Sequence, residues 1–177
     1  MSDIASERPD GDVRWRLEES DSAELFWKSD DLSVDCINTT LAIVDRALID
    51  YPTASLEFGC GGRRILLHLN DVGEQIELRD GDIDAESIGW LIENLPGVSF
   101  SLNDGRPALE VPNRHFDLVS NQSAFTHLDE EYHDLWLAEV RRVVKPGGDL
   151  VLSISGQCPW SQVITDRGNA VADATEL

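Results

Sequence analysis

Lysine is almost missing from this chain: of 14 basic residues only Lys28 and Lys145 are lysine, and 34 acidic residues leave a formal charge of −20. A field of that sign repels nucleic-acid phosphates and anionic membranes, so neither is expected as a partner. The acid-rich, lysine-poor balance resembles proteins adapted to high salt, where the screening length shrinks to about 3 Å at 1 M. Cysteine is scarce as well. Cys36, Cys60 and Cys158 are three in number, far apart and without a C-x-x-C pair. That argues against a disulfide framework or a zinc site, and no metal is expected. Nor is there an uncharged apolar run near the roughly 18 residues a membrane span needs. The N-terminus has neither a basic start nor an apolar stretch, so it does not read as a secretory signal, and a cytoplasmic protein is expected.

What is present is enough for one folded domain: 177 residues, 41% hydrophobic and 27% charged, within the ordinary globular range. Residues 1–22 are rich in Asp, Glu, Ser and Arg with little periodicity and read as a loose leader to a single domain over 23–177. Over 33–49, Ile37, Leu41, Val44 and Leu48 recur at helical steps, and Pro52 closes the segment. A strand follows, ending in Leu56-Glu57-Phe58-Gly59-Cys60-Gly61-Gly62, then a short helix over 62–70 and a second strand over 75–83. Asp84 can cap a helix whose Ile88, Leu91, Ile92 and Leu95 share one face. Further strands are expected over 98–102, 116–120 and 150–154. The last two flank a helix over 129–144 that ends at Lys145-Pro146-Gly147-Gly148. Strands alternating with helices predict an α/β fold, a doubly wound, mostly parallel sheet of about five strands covered on both faces.

Ligands of such sheets bind beyond the carboxyl ends of the strands, where the strand order reverses. The residues after the strands are therefore the candidates: Glu57 with Gly59 and Gly61, then Asp82, then Asn103-Asp104-Gly105, then Asn121-Gln122. Glycine reaches positive φ without a Cβ clash, so the first turn can bend sharply and approach a ligand. Ionised carboxylates accept charge-assisted hydrogen bonds, so Glu57 suits an ammonium group and Asp82 a diol. A dinucleotide fingerprint needs a third glycine where Arg64 stands, which disfavours a nicotinamide cofactor.

In Glu57-Phe58-Gly59-Cys60-Gly61, Gly81-Asp82-Ile83-Asp84, Asn103-Asp104-Gly105, Phe116-Asp117-Leu118-Val119 and the LAEVRRVVKPGG run over 137–148, the chain resembles the class I S-adenosylmethionine-dependent methyltransferases, small-molecule branch. The resemblance covers about residues 25–156 and implies a Rossmann-like methyltransferase fold with S-adenosylmethionine as cofactor. It implies that Glu57, Gly59 and Gly61 hold the methionine end and that Asp82 takes the ribose hydroxyls. Ile83 packs on the adenine, Asp104 beside Gly105 reads its amino group, and Asn121 and Gln122 lie beneath the sulfonium. The implied reaction is methyl transfer to an oxygen or nitrogen of a small metabolite or sugar. His127, after the fourth strand, is the candidate catalytic base.

Two departures bear on that expectation. The family's turn usually carries a third glycine where this chain has Arg63. The family sheet has seven strands, whereas only 21 residues follow Gly156 here. A sheet lacking the C-terminal strand pair is therefore expected, with an exposed edge suited to homodimerisation. A second reading follows: a catalytically degenerate or truncated fold that binds ligand or partner protein.

Overall fold

The computed structural model describes residues 34–51, 54–59, 77–94, 98–103, 105–121, 124–153, 161–165 and 168–170. The expected leader, the 62–70 helix, Gly61, Arg63, Asp104 and Gln122 lie outside these residues.

Five parallel strands form the sheet: β1 (Ala54–Phe58), β2 (Glu77–Asp82), β3 (Val98–Leu102), β4 (Phe116–Asn121) and β5 (Val144–Ser153). Their spatial order is β3-β2-β1-β4-β5, so the chain turns outward on either side of β1 and the order reverses between β1 and β4. The doubly wound α/β expectation holds, and β1 and β4 are buried along nearly their whole length, as central parallel strands must be.

Beyond β5 the sheet continues where an open edge was expected. β6 (Ser161–Thr165) pairs antiparallel with β5, and β7 (Gly168–Ala170) pairs antiparallel with β6. The expectation of a missing strand pair counted the helices that parallel crossovers demand. Antiparallel strands need only a short link, here two residues between Thr165 and Gly168, so the short tail suffices. The outer edges are therefore β3 and β7, and β5 is covered along Asp149–Ser153.

Helix α1 (residues 34–42) is shorter than its apolar repeat suggests. Asp45 adopts φ 58, the Asp45 N–H donates to the Ala42 carbonyl at 3.1 Å, and the Arg46 N–H donates to the Leu41 carbonyl at 3.1 Å. This is a Schellman-type stop with aspartate in the left-handed position that glycine usually fills. Leu48 then returns to the same face through a 3₁₀ turn (Leu48–Asp50), its N–H donating to Asn38 Oδ1 at 3.0 Å. Helix α2 (Ala85–Asn94) starts at Asp84 as expected. Asp84 Oδ1 accepts the Glu86 N–H at 3.1 Å, and Oδ2 accepts the Ser87 hydroxyl at 2.7 Å. Ile88 and Leu91 are buried, contributing roughly 1.5 to 3 kcal/mol each before entropy. Ile92, expected on the same face, is exposed. Helix α3 (Glu130–Val143) carries Trp136, Val140 and Val143 inward.

Strand alternation sorts the core into two layers. Ala54, Leu56, Phe58, Leu150 and Leu152 pack with α3, whereas Leu118 and Val151 face α1 on the other side. Val98 and Phe100 pack against both the α1 and the α2 clusters, so those two helices share a face. β5 begins earlier than its apolar run because Phe116 pairs with Val144 and Leu118 next with Asp149. Residues 145–148 bulge out of register between those pairs, with Gly147 at φ 81. The expected turn is thus a bulge inside the strand. A Cβ on Gly148 would stand 2.7 Å from the Asp117 carbonyl oxygen.

The amino-terminal half of the sheet is fastened by charge. The buried Asp149 accepts the Tyr51 hydroxyl and pairs with Arg46 at 3.4 Å, and burial together with Asp149 pushes the phenol's pKa up. Asp117 accepts the Ala54 N–H at 3.1 Å and Lys145 Nζ at 2.9 Å. His115 Nε2 donates to Glu77 at 2.9 Å. The neighbouring Arg79, then His115, hold the Glu77 carboxyl below its usual range.

Candidate active site

At the other end, the tips of β1, β2 and β4 converge. Phe58 pairs with Gly81, and Glu57 with Ser120. Glu57 and Asp82 therefore belong to adjoining strands about 4.8 Å apart, one residue below and one above the same rung. Glu57 is 2% exposed. Alternation with Leu56 and Phe58 sends it to the α1 side, away from α3. Gly59 follows at φ 70, its N–H donating to the Gly81 carbonyl at 2.8 Å. An added Cβ there would lie 2.4 Å from the Ala124 Cβ, so the β1 turn and the segment after β4 approach as only glycine permits.

Asp82 is half-buried, and its Oδ1 accepts the Asp84 N–H at 3.0 Å, an Asx turn that orients the carboxylate at the β2 tip. Its backbone carbonyl accepts the Asn103 N–H at 2.7 Å, which brings the start of the β3–β4 loop beside it. Ile83 is 70% exposed, the most exposed large apolar side chain among the described residues. Leu102, which pairs with Asp82 at the β3 tip, is exposed as well. Gly105, at φ 83, opens the loop.

Asn121 sits under this rim but is fully buried. Its Nδ2 donates to the Phe58 carbonyl and its Oδ1 accepts the Phe125 N–H at 3.4 Å. It ties the β1 tip to the 3₁₀ turn Ala124–His127 and shapes the floor from within. His127 ends that turn, beyond the carboxyl end of β4, and is exposed. His133 lies deeper, and its Nε2 must carry the proton because it donates to the Phe125 carbonyl at 2.7 Å.

Three residues of α3 make contacts that the sequence reading did not assign to them. Trp136 Nε1 donates to the Gly105 carbonyl at 3.3 Å, and its ring lies against Phe58 with centroids 4.2 Å apart. Glu139, 6% exposed, accepts the Leu109 N–H at 2.6 Å. Arg142 donates to Glu139, to the Leu109 and Val111 carbonyls and to Asn113. The Arg142 guanidinium holds the Glu139 carboxyl below its ordinary range. The signal was present as Glu139 and Arg142 at i, i+3, the spacing of a helical ion pair.

The sequence matches a family described as a methyltransferase domain over residues 56–152, more than half of the chain. The protein belongs to that family. S-adenosylmethionine is the cofactor this membership implies. Solved structures agree in fold. The PH0226 protein of Pyrococcus horikoshii OT3 is 21% identical with a TM-score of 0.61, covering 82% of this chain and 61% of its own. A SAM-dependent methyltransferase from Aquifex aeolicus is 21% identical with a TM-score of 0.55, covering 75% and 76%. A TehB-like SAM-dependent methyltransferase from Corynebacterium glutamicum is 19% identical with a TM-score of 0.53, covering 75% and 76%. This chain thus spans less than two thirds of the Pyrococcus protein's length. The donor set fits the cofactor: two carboxylates at neighbouring strand tips, a glycine turn between them and an exposed isoleucine beside the second.

Proposed function

We propose that this protein transfers a methyl group from S-adenosylmethionine to an oxygen or nitrogen of a small metabolite or sugar. The observation that carries the reading is the convergence of Glu57, Gly59, Asp82 and Ile83 on one rim at the reversal of strand order. In this reading Glu57 takes the ammonium of the methionine moiety, Asp82 the ribose hydroxyls, and Ile83 one face of the adenine. Gly61, Asp104 and Gln122 complete the set from outside the described residues, while Asn121 fixes the floor.

The cofactor supplies a methyl group on a positively charged sulfur. The protein's part is placement: holding donor and acceptor in line can remove about 7 to 11 kcal/mol of barrier. Where the acceptor is a hydroxyl or ammonium, His127 takes the proton it sheds, a role worth about 10² to 10⁴ in rate. The acidic field favours neutral or cationic acceptors over polyanions. No described helix is long and apolar enough to cross a membrane. The reading includes a cytoplasmic setting and a homodimer, which would form through β3 or β7, since β6 covers the β5 edge first expected for it.

The test is a thermal shift with S-adenosylhomocysteine, since ligand at 100 times its Kd stabilises by about 2.7 kcal/mol. A clear shift that Asp82→Asn weakens supports the site, and methylation of a metabolite in a cell extract supports the reaction. Absence of any shift at millimolar ligand would refute the cofactor site. Binding without turnover on any acceptor would leave the ligand-binding module instead.

A further inference from the structure

Trp136 touches both halves of the rim at once. On α3, 1% exposed, it lays its ring on Phe58, the residue before the Gly59 turn. Its indole N–H donates to the carbonyl of Gly105, at φ 83 in the loop after β3. Farther along the same loop, Glu139 and Arg142 of the same helix hold Leu109, Val111 and Asn113. The loop is thus laid along α3 and fastened at both ends. A ring that only filled the core could be any aromatic, whereas this position uses the face for one contact and the N–H for another, and only tryptophan offers both at this reach.

We propose that Trp136 is a positioning residue for the cofactor, setting the distance between the β1 turn and the loop at Gly105, and so governing recognition of the adenine base. The inference rests on the cofactor reading above. Through the Phe58 stack and the Gly105 carbonyl, the adenine-reading loop and the methionine-holding turn share one rigid support. Arg142 performs the same service at the far end of the loop, where its planar fork reaches acceptors that a lysine cannot span together.

The experiment compares binding of S-adenosylhomocysteine and S-inosylhomocysteine, in which a carbonyl replaces the adenine amino group, by calorimetry on the full chain. The wild-type protein is expected to prefer the adenine form. Trp136→Phe keeps the stack and removes the N–H. It should cut that preference about threefold to tenfold, the scale of one lost hydrogen bond. Arg142→Lys, which leaves the Phe58 stack intact, should cut it in the same direction and serves if Trp136→Phe does not fold. In the wild-type protein, the Trp136 indole N–H resonance should move more with the adenosyl than with the inosyl ligand.

A lowered melting temperature with an unchanged preference in the folded variants would reduce Trp136 to core packing and overturn the proposal. Equal wild-type affinity for the two ligands would overturn it while sparing the cofactor site. Failure of the wild-type protein to bind either would sink the cofactor reading and this inference with it.

Discussion

Replacing Gly59 by alanine is the sharpest test of how the site is built, because two separable costs act on one atom. The first is conformational: φ 70 places a Cβ against the backbone, roughly 1 to 2 kcal/mol for an L residue. The second is steric: the new methyl would stand 2.4 Å from the Ala124 Cβ, and such overpacking typically costs about 1 to 3 kcal/mol. Gly59→Ala should therefore lose about 2 to 5 kcal/mol in urea unfolding. Gly147 isolates the first cost. It has φ 81 and nothing within 4 Å of an added Cβ, so Gly147→Ala should lose only about 1 to 2 kcal/mol. Ala124→Gly isolates the second. Combined with Gly59→Ala it should restore about 1 to 3 kcal/mol in a double-mutant cycle. S-adenosylhomocysteine affinity should fall with the turn and recover in part with the double variant. A Gly59→Ala protein no less stable than Gly147→Ala, with no coupling to Ala124, would refute the close approach.

Glu139 contributes stability that is present above the unfolded carboxyl pKa of about 4.3 and lost as pH falls through its lower folded value. Wild-type unfolding free energy should thus decline below about pH 4.3 more steeply than that of Glu139→Gln; parallel curves would refute it. Tyr51 has the opposite sign. Its raised folded pKa gives stability that is full below the unfolded value of about 10 and lost as pH rises above it. Tyr51→Phe should cost about 1 to 3 kcal/mol at neutral pH by leaving Asp149 short of a donor, and it should flatten the alkaline decline. If the acid-rich composition is an adaptation to salt, the thermal midpoint should rise from low to molar salt, and a flat response would contradict that.

The parallel core was legible because each element repeats at its own period. Val98–Leu102 falls where alternation placed it, and Asp84 caps α2 as its position promised. What escaped was set by backbone detail that periodicity does not carry. The repeat through Ile37, Leu41, Val44 and Leu48 survives a helix that stops after residue 42, because a 3₁₀ turn returns Leu48 to the same face. The final hairpin escaped because strand count was inferred from the residues needed for crossovers. Within the site, strand order brought Glu57, Asp82 and Asn121 to one rim as expected. The inward commitment of Asn121 and the span of Trp136 depend on partners far away in sequence, Phe58 at 63 positions and Gly105 at 31.

Among the described residues, three charged fastenings of the sheet lie toward the strand starts: Asp149 with Tyr51 and Arg46, Asp117 with Lys145, and Glu77 with His115. At the opposite rim stand the Gly59 turn and the Asx turn of Asp82. The charged clasps stand at the end of the sheet remote from Gly59 and Asp82. Amide exchange should be faster at Ile83 and Gly105, in the loops beyond the strand tips, and slowest at Leu118 and Leu150, so that the rim can loosen while the base stays closed.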